Sequence, residues 1–167
     1  RIAAAGCQFP LAESDEVDVG EVVIHPTKYI AEAVSFSPGR KQWRTLDPSV
    51  KEDFAGLARV NGGDFSIVDR TEADDVWLVA YDSDQNPGRY YRWDRRKQEG
   101  TFLFTTRPKL DGQQLAPMKA VVVGARDGLR LHAYLTLPPG VTPTNLPMVL
   151  VPHGGPWARD GWGFNGM

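Results

Sequence analysis

The sequence of 167 residues holds a single cysteine, Cys7. A lone thiol closes no internal disulfide, so the fold has to be held by packing, and one cysteine suits cytoplasm and periplasm alike. Charge of one sign is also lacking. Nineteen Lys and Arg stand against 21 Asp and Glu, a formal net charge of -2, which leaves no basic excess to neutralise phosphates and excludes nucleic acid as the expected partner. Long apolar runs are missing too. The stretch Met148-Val149-Leu150-Val151 falls far short of the roughly 20 residues that span a bilayer, so no membrane segment is expected. His25, His132 and His153 share no metal-ligand spacing, and neither a metal nor an organic cofactor is expected. Ala4-Ala5-Gly6-Cys7 has the spelling of a lipoprotein cleavage box, yet six residues before the cysteine cannot supply an apolar signal region. The opening Arg1 in place of Met sets the expectation of a start further upstream.

What is present is the makeup of a folding chain: 41% hydrophobic and 24% charged residues, at a length that holds one domain or two incomplete ones. Seventeen Gly and 13 Pro punctuate short elements. Residues 65–70, 76–81, 89–93 and 101–105 are rich in aromatic and β-branched side chains and read as strands, each starting about a dozen residues after the last. The segments between them carry Asp, Asn, Pro and Gly, which suits hairpin loops and predicts a four-stranded antiparallel meander. Its second strand is apolar on both faces, and a lone meander cannot bury both. Sheets stacked around an axis would, so one complete β-propeller blade is expected at about 64–106. Strands at 21–24, 29–36 and 42–46 are expected to be the remainder of a preceding blade.

Between these sets Asp47 can cap a helix that begins at Pro48, places Val50, Phe54 and Leu57 on one face and stops at Asn61-Gly62. Composition shifts at Arg107-Pro108. Strands at 118–125 and 129–137 around Asp127-Gly128 then predict a second hairpin, and the wholly apolar 148–151 predicts a short strand buried in a parallel sheet.

That apolar run ends in His153-Gly154-Gly155-Pro156-Trp157. Two glycines directly after a buried strand allow backbone N–H groups to approach a reacting carbonyl, as in the oxyanion hole of α/β-hydrolases; an ordinary strand-end turn has the same spelling. At this point the chain resembles a known family. The segment from Asp127-Gly128-Leu129-Arg130 through Pro138-Pro139-Gly140, then Asn145-Leu146-Pro147 through Pro156, and Trp157-Ala158-Arg159-Asp160-Gly161-Trp162-Gly163-Phe164, look like the prolyl oligopeptidase family of serine peptidases, above all its acylaminoacyl-peptidase-like and bacterial dipeptidyl-peptidase-like branches. Residues 64–70 and 87–91 are similar to that family's last propeller blade. The resemblance implies a mainly β chain: the C-terminal part of a β-propeller over 1–112, then the opening strands of an α/β-hydrolase domain over 113–167. It implies a peptide substrate for the intact parent, Gly154 and Gly155 as the oxyanion loop, Gly155 as the favoured donor, and His153, Pro156 and Trp157 as its supports. Pro156 has no N–H to give.

The chain departs from the family pattern where acyl transfer needs a nucleophile. Its six serines, Ser14, Ser35, Ser37, Ser49, Ser66 and Ser83, all precede the glycine pair, and none sits in a Gly-x-Ser-x-Gly elbow. The triad is therefore expected beyond Met167, and this chain alone is expected to be inactive. His153 is expected to be structural, since the family's catalytic histidine is the last triad member in chain order. Asp82-Ser83-Asp84-Gln85-Asn86 opens like a calcium loop but has Pro87 at the glycine position, and Gly161-Trp162-Gly163-Phe164-Asn165-Gly166 has the dinucleotide spelling without a strand before it. Arg92, Arg95, Arg96 and Lys97 cluster beside Trp93, which reads as a solvated hairpin. The alternative to an enzyme segment is a non-catalytic β-rich module that binds a peptide or a second copy of itself along exposed strand edges.

Overall fold

The computed structural model describes residues 2–3, 10–155 and 158–166, and it is mainly β with several antiparallel sheets. β1 (Ile2–Ala3) pairs with β2 (Pro10–Ala12). β3 (Val19–Ile24), β4 (Ala31–Phe36) and β5 (Gln42–Thr45) form a three-stranded sheet in chain order. β6 (Asp64–Arg70), β7 (Val76–Asp82), β8 (Arg89–Asp94) and β9 (Glu99–Thr105) form the four-stranded meander that the aromatic periodicity predicts. β10 (Met118–Gly124) and β11 (Arg130–Thr136) make the later hairpin, in unbroken register from Met118 opposite Thr136 to Gly124 opposite Arg130. Its turn is closed by Gly128 at φ +87°, a left-handed conformation that glycine adopts without strain, and by the Asp127 carboxylate, which accepts from Leu129 N at 3.1 Å.

The helix forms where its cap predicts. Asp47 Oδ1 accepts from Ser49 N at 2.8 Å, Pro48 opens a short 3-10 turn (Pro48–Val50), and α1 (Lys51–Val60) continues it. Hydrogen bonding from the Ser49 side chain, and then from its backbone N–H, holds the Asp47 carboxyl below the usual carboxylate range. Val50, Phe54 and Leu57 are buried on one face of this run. Phe54 meets Trp43 edge-on at 5.2 Å and Trp77 at 6.1 Å, so the helix closes the core between the two larger sheets. Gly56 is needed for that approach, because a Cβ there would come within 2.5 Å of the Trp93 ring.

Alternation along β7 buries Trp77, Val79 and Tyr81, each worth about 1.5–3 kcal/mol of apolar transfer. Leu78 and Ala80, on the opposite face, are only half-buried. The expectation of a strand covered on both faces is thus met in full on one. A second small core on the three-stranded sheet gathers Ala12, Val34 and Phe36. Trp43 joins the two sheets, stacking on Phe65 at 5.8 Å and donating its indole N–H to Phe65 O at 3.0 Å.

The expected buried strand at 148–151 is not a strand. These residues are irregular, and Met148, Val149, Leu150 and Val151 are 82%, 86%, 80% and 55% exposed. A parallel strand draws its burial from neighbours on both sides, and among the described residues none pairs with this one.

Candidate active site: the glycine loop and the charge network behind it

Gly154 and Gly155 follow the apolar run and are exposed. A Cβ added at either would meet no atom within 4 Å, so the backbone here is open to an incoming group. Pro156 and Trp157, the other expected members of the loop, lie outside the described residues. His153 is partly exposed, and its Nδ1 stands 3.8 Å from Asp160 Oδ2. That is an ion-pair separation when the ring is protonated, and it is too long for a hydrogen bond. The structure therefore groups His153, Gly154, Gly155 and Asp160 at one place. Three of the serines are engaged elsewhere: Ser35 Oγ accepts from Glu21 N at 2.7 Å, Ser66 Oγ accepts from Lys41 Nζ at 2.5 Å, and Ser49 belongs to the helix cap.

Two shallow clefts lie away from the glycines. One, of about 350 Å³, is lined by Arg40, Lys41, Trp43, Asn61 and Asp64 among others; a second, of about 390 Å³, runs between β3 and β6 past Glu21, Pro26 and Arg70.

Periodicity gave no hint of a chain of buried charges behind the meander. Arg70 Nη1 donates to Glu32 Oε2 at 2.5 Å, and its Nε donates to Asp74 Oδ1 at 2.6 Å. Arg95 donates from Nη1 to Asp74 Oδ2 at 2.5 Å and from Nε to Asp53 Oδ2 at 2.9 Å. Each aspartate also receives a tryptophan N–H: Trp77 Nε1 to Asp74 Oδ1 at 2.8 Å and Trp93 Nε1 to Asp53 Oδ1 at 2.9 Å. Gln98 Nε2 adds a bond to Asp53 Oδ1 at 2.8 Å. Both guanidinium groups lie over the Trp77 ring, at 4.6 and 4.7 Å. The reading of Arg95 as part of a solvated hairpin is corrected here. Arg92, Arg96 and Lys97 are exposed as expected, whereas Arg95 turns inward because two buried carboxylates need a counter-charge.

His25, Glu32 and Asp74 come close enough for a cation to be considered, a grouping that histidine spacing in the sequence does not reveal. The donor chemistry argues for the arginine network instead. Both carboxylates already accept from guanidinium groups, and His25 Nδ1 accepts backbone N–H bonds from Thr27 at 3.2 Å and Lys28 at 3.1 Å. With Nδ1 so used, the neutral ring carries its proton on Nε2, the atom 3.9 Å from Asp74 Oδ2, and has no lone pair for a metal there.

With the geometry in place, likeness to known proteins gives it a setting. The chain is 38% identical over 170 residues to dipeptidyl aminopeptidase BIII of Pseudoxanthomonas mexicana, a match that covers 98% of this chain and 25% of that protein. It is 28% identical over 180 residues to dipeptidyl peptidase family member 6 of Caenorhabditis elegans, covering 94% of this chain and 24% of that one. No family model and no solved structure matches it. The chain spans about a quarter of the length of these curated relatives. The resemblance seen in the sequence therefore holds: over that quarter, the chain matches dipeptidyl peptidases and is consistent with a segment of a dipeptidyl-peptidase-like member of the prolyl oligopeptidase family.

Proposed function

We propose that this chain is the junction of a serine peptidase, in which the meander Asp64–Thr105 serves as a propeller blade, the hairpin of β10 and β11 opens an α/β-hydrolase domain, and Gly154 and Gly155 form half of its oxyanion hole. The observation that carries the reading is the open glycine pair after the apolar run, in a chain 38% identical to a dipeptidyl aminopeptidase. In the intact parent, a serine hydroxyl supplied from outside this sequence attacks the scissile carbonyl of a short peptide. Its proton passes to a histidine base, and the carbonyl oxygen becomes an oxyanion. The Gly155 N–H donates to that oxyanion, together with the amide that follows the serine. Collapse of the tetrahedral intermediate expels the amine as the histidine returns its proton, leaving an acyl-serine for water to hydrolyse. Alone, this chain has the cradle without the nucleophile.

The donor assignment is tested in the parent polypeptide with two substitutions. Gly155→Pro deletes the N–H, whereas Gly155→Ala keeps it and adds a methyl group that meets nothing within 4 Å. The proline variant is expected to lose on the order of 10²–10³ in acylation rate, the usual worth of one oxyanion donor, and the alanine variant far less. Equal rates for the two variants would remove Gly155 from the role.

The second reading, a binding module, draws on β9. It is an edge of its sheet among the described residues, and Phe102, Leu103 and Phe104 are about half exposed along it. A second copy of the chain pairing there would show as a dimer on a sizing column.

A further inference from the structure

We propose that the turn between β4 and β5, residues 37–41, is the socket that fixes the glycine loop, with Arg40 as its positioning residue; the inference rests on the oxyanion reading of Gly154 and Gly155. Three contacts from distant parts of the sequence converge on this turn. Arg159 Nη2 donates to Ser37 O at 2.9 Å, Tyr134 OH donates to Gly39 O at 2.7 Å, and the Arg40 guanidinium lies 3.9 Å from the centre of the Trp162 ring. The fit is close: a Cβ on Gly39 would stand 3.0 Å from the Ala120 Cβ of the hairpin.

Arg40 is also held by partners other than Trp162. Its Nε and Nη2 donate to Asp64 Oδ1 at 2.9 and 2.6 Å, and Nη2 also donates to Gly62 O at 2.8 Å, so the planar group is locked against the meander with one face free. Trp162 lays its ring on that face and donates its N–H to Met118 O at 2.8 Å, at the start of β10. The ring is thus gripped from the sheet side and from the hairpin side at once. Arg159 and Trp162 lie four and seven residues past Gly155, so at about 3.5 Å per residue the glycine pair is leashed within roughly 14 Å of one anchor and 25 Å of the other. A displacement of about 1 Å at a reacting centre costs up to on the order of 10²-fold in rate, so anchors of this kind act on turnover more than on binding. Arg40 touches neither glycine, and its effect passes through Trp162.

The test uses the parent polypeptide, a fluorophosphonate probe and a dipeptide substrate. Arg40→Met keeps the stem and removes the cation, Arg40→Lys restores a cation, and Trp162→Leu removes the ring. Arg40→Met and Trp162→Leu are each expected to slow acylation about tenfold or more, with kcat falling and KM nearly unchanged. The lysine variant is expected to recover part of the rate, and the double variant to lose little beyond either single one. Wild-type acylation in both single variants, or losses that simply multiply, would overturn the proposal. Should the variants fail to fold, hydrogen exchange in the unaltered parent decides it. Residues 158–166 protected relative to free peptide support the socket, and exchange at the free rate overturns it. A parent that resists the probe altogether would instead defeat the oxyanion reading, with the exchange result still judging the socket.

Discussion

Residues 19–106 and residues 113–166 are both rich in apolar side chains, yet the two regions use them differently. The first closes a core in which Val50, Leu57, Trp77 and Val79 are fully buried beneath a helix and between two sheets. The second leaves Val122, Val123, Leu131 and Leu135 about half exposed on a two-stranded hairpin, and residues 148–151 more so. Apolar pattern chooses the element; burial needs a second layer to pack against it. The first region has that layer within the chain, and the second is tied down through polar contacts to the turn at 37–41 and through Asp84 Oδ2, which accepts from Met118 N at 2.7 Å.

The contrast is sharpened most by attacking the closed region at its charges. Arg70→Met removes the only guanidinium that reaches Glu32 among the described contacts, leaving a carboxylate 1% exposed without its counter-charge. A loss of about 3–5 kcal/mol is expected in urea unfolding of the chain, and a loss below about 1 kcal/mol would mean that this network is not what locks the sheets. A smaller effect is expected at Tyr81, whose OH donates to Leu57 O at 2.8 Å and whose phenol burial pushes up, with the neighbouring Tyr91 adding to the shift. The folded state holds that proton more tightly than the unfolded chain. Its contribution is therefore full below about pH 10, the ordinary tyrosine value, and shrinks as pH rises beyond it. Tyr81→Phe should cost about 1 kcal/mol at neutral pH and flatten the stability profile above pH 10 relative to the unaltered chain. Parallel profiles would contradict the buried hydrogen bond. The smallest effect belongs to the open region: Leu131→Ser on the exposed hairpin should change stability by less than about 0.5 kcal/mol, and a loss of 2 kcal/mol or more would show that the hairpin has a hidden core.

Local signals in the sequence gave most of the secondary structure. Asp47 and Pro48 start the helix by bonds within two residues, Asp127 and Gly128 turn the hairpin, and the aromatic segments form the four strands of the meander as their spacing implies. What the sequence hid is non-local. Arg95 reaches Asp53, 42 residues away, and Arg70 reaches Glu32, 38 away, and nothing in either neighbourhood announces the partner. The exposure of 148–151 is hidden from the sequence for the converse reason: its composition promises burial, but burial is supplied by other strands. Gly154 and Gly155 were legible as a motif because backbone donors need an absence of side chain, which is written directly in the residue names. The contact of Arg40 with Trp162 was not, since cation and ring lie 122 positions apart.

The central claim, that the chain carries an oxyanion cradle and borrows its nucleophile, is tested most directly by intact-mass analysis after fluorophosphonate treatment of this purified chain beside its parent polypeptide. One covalent adduct is expected on the parent, at a serine beyond Met167, and none on the chain. An adduct on the chain, at any of its six serines, would contradict it.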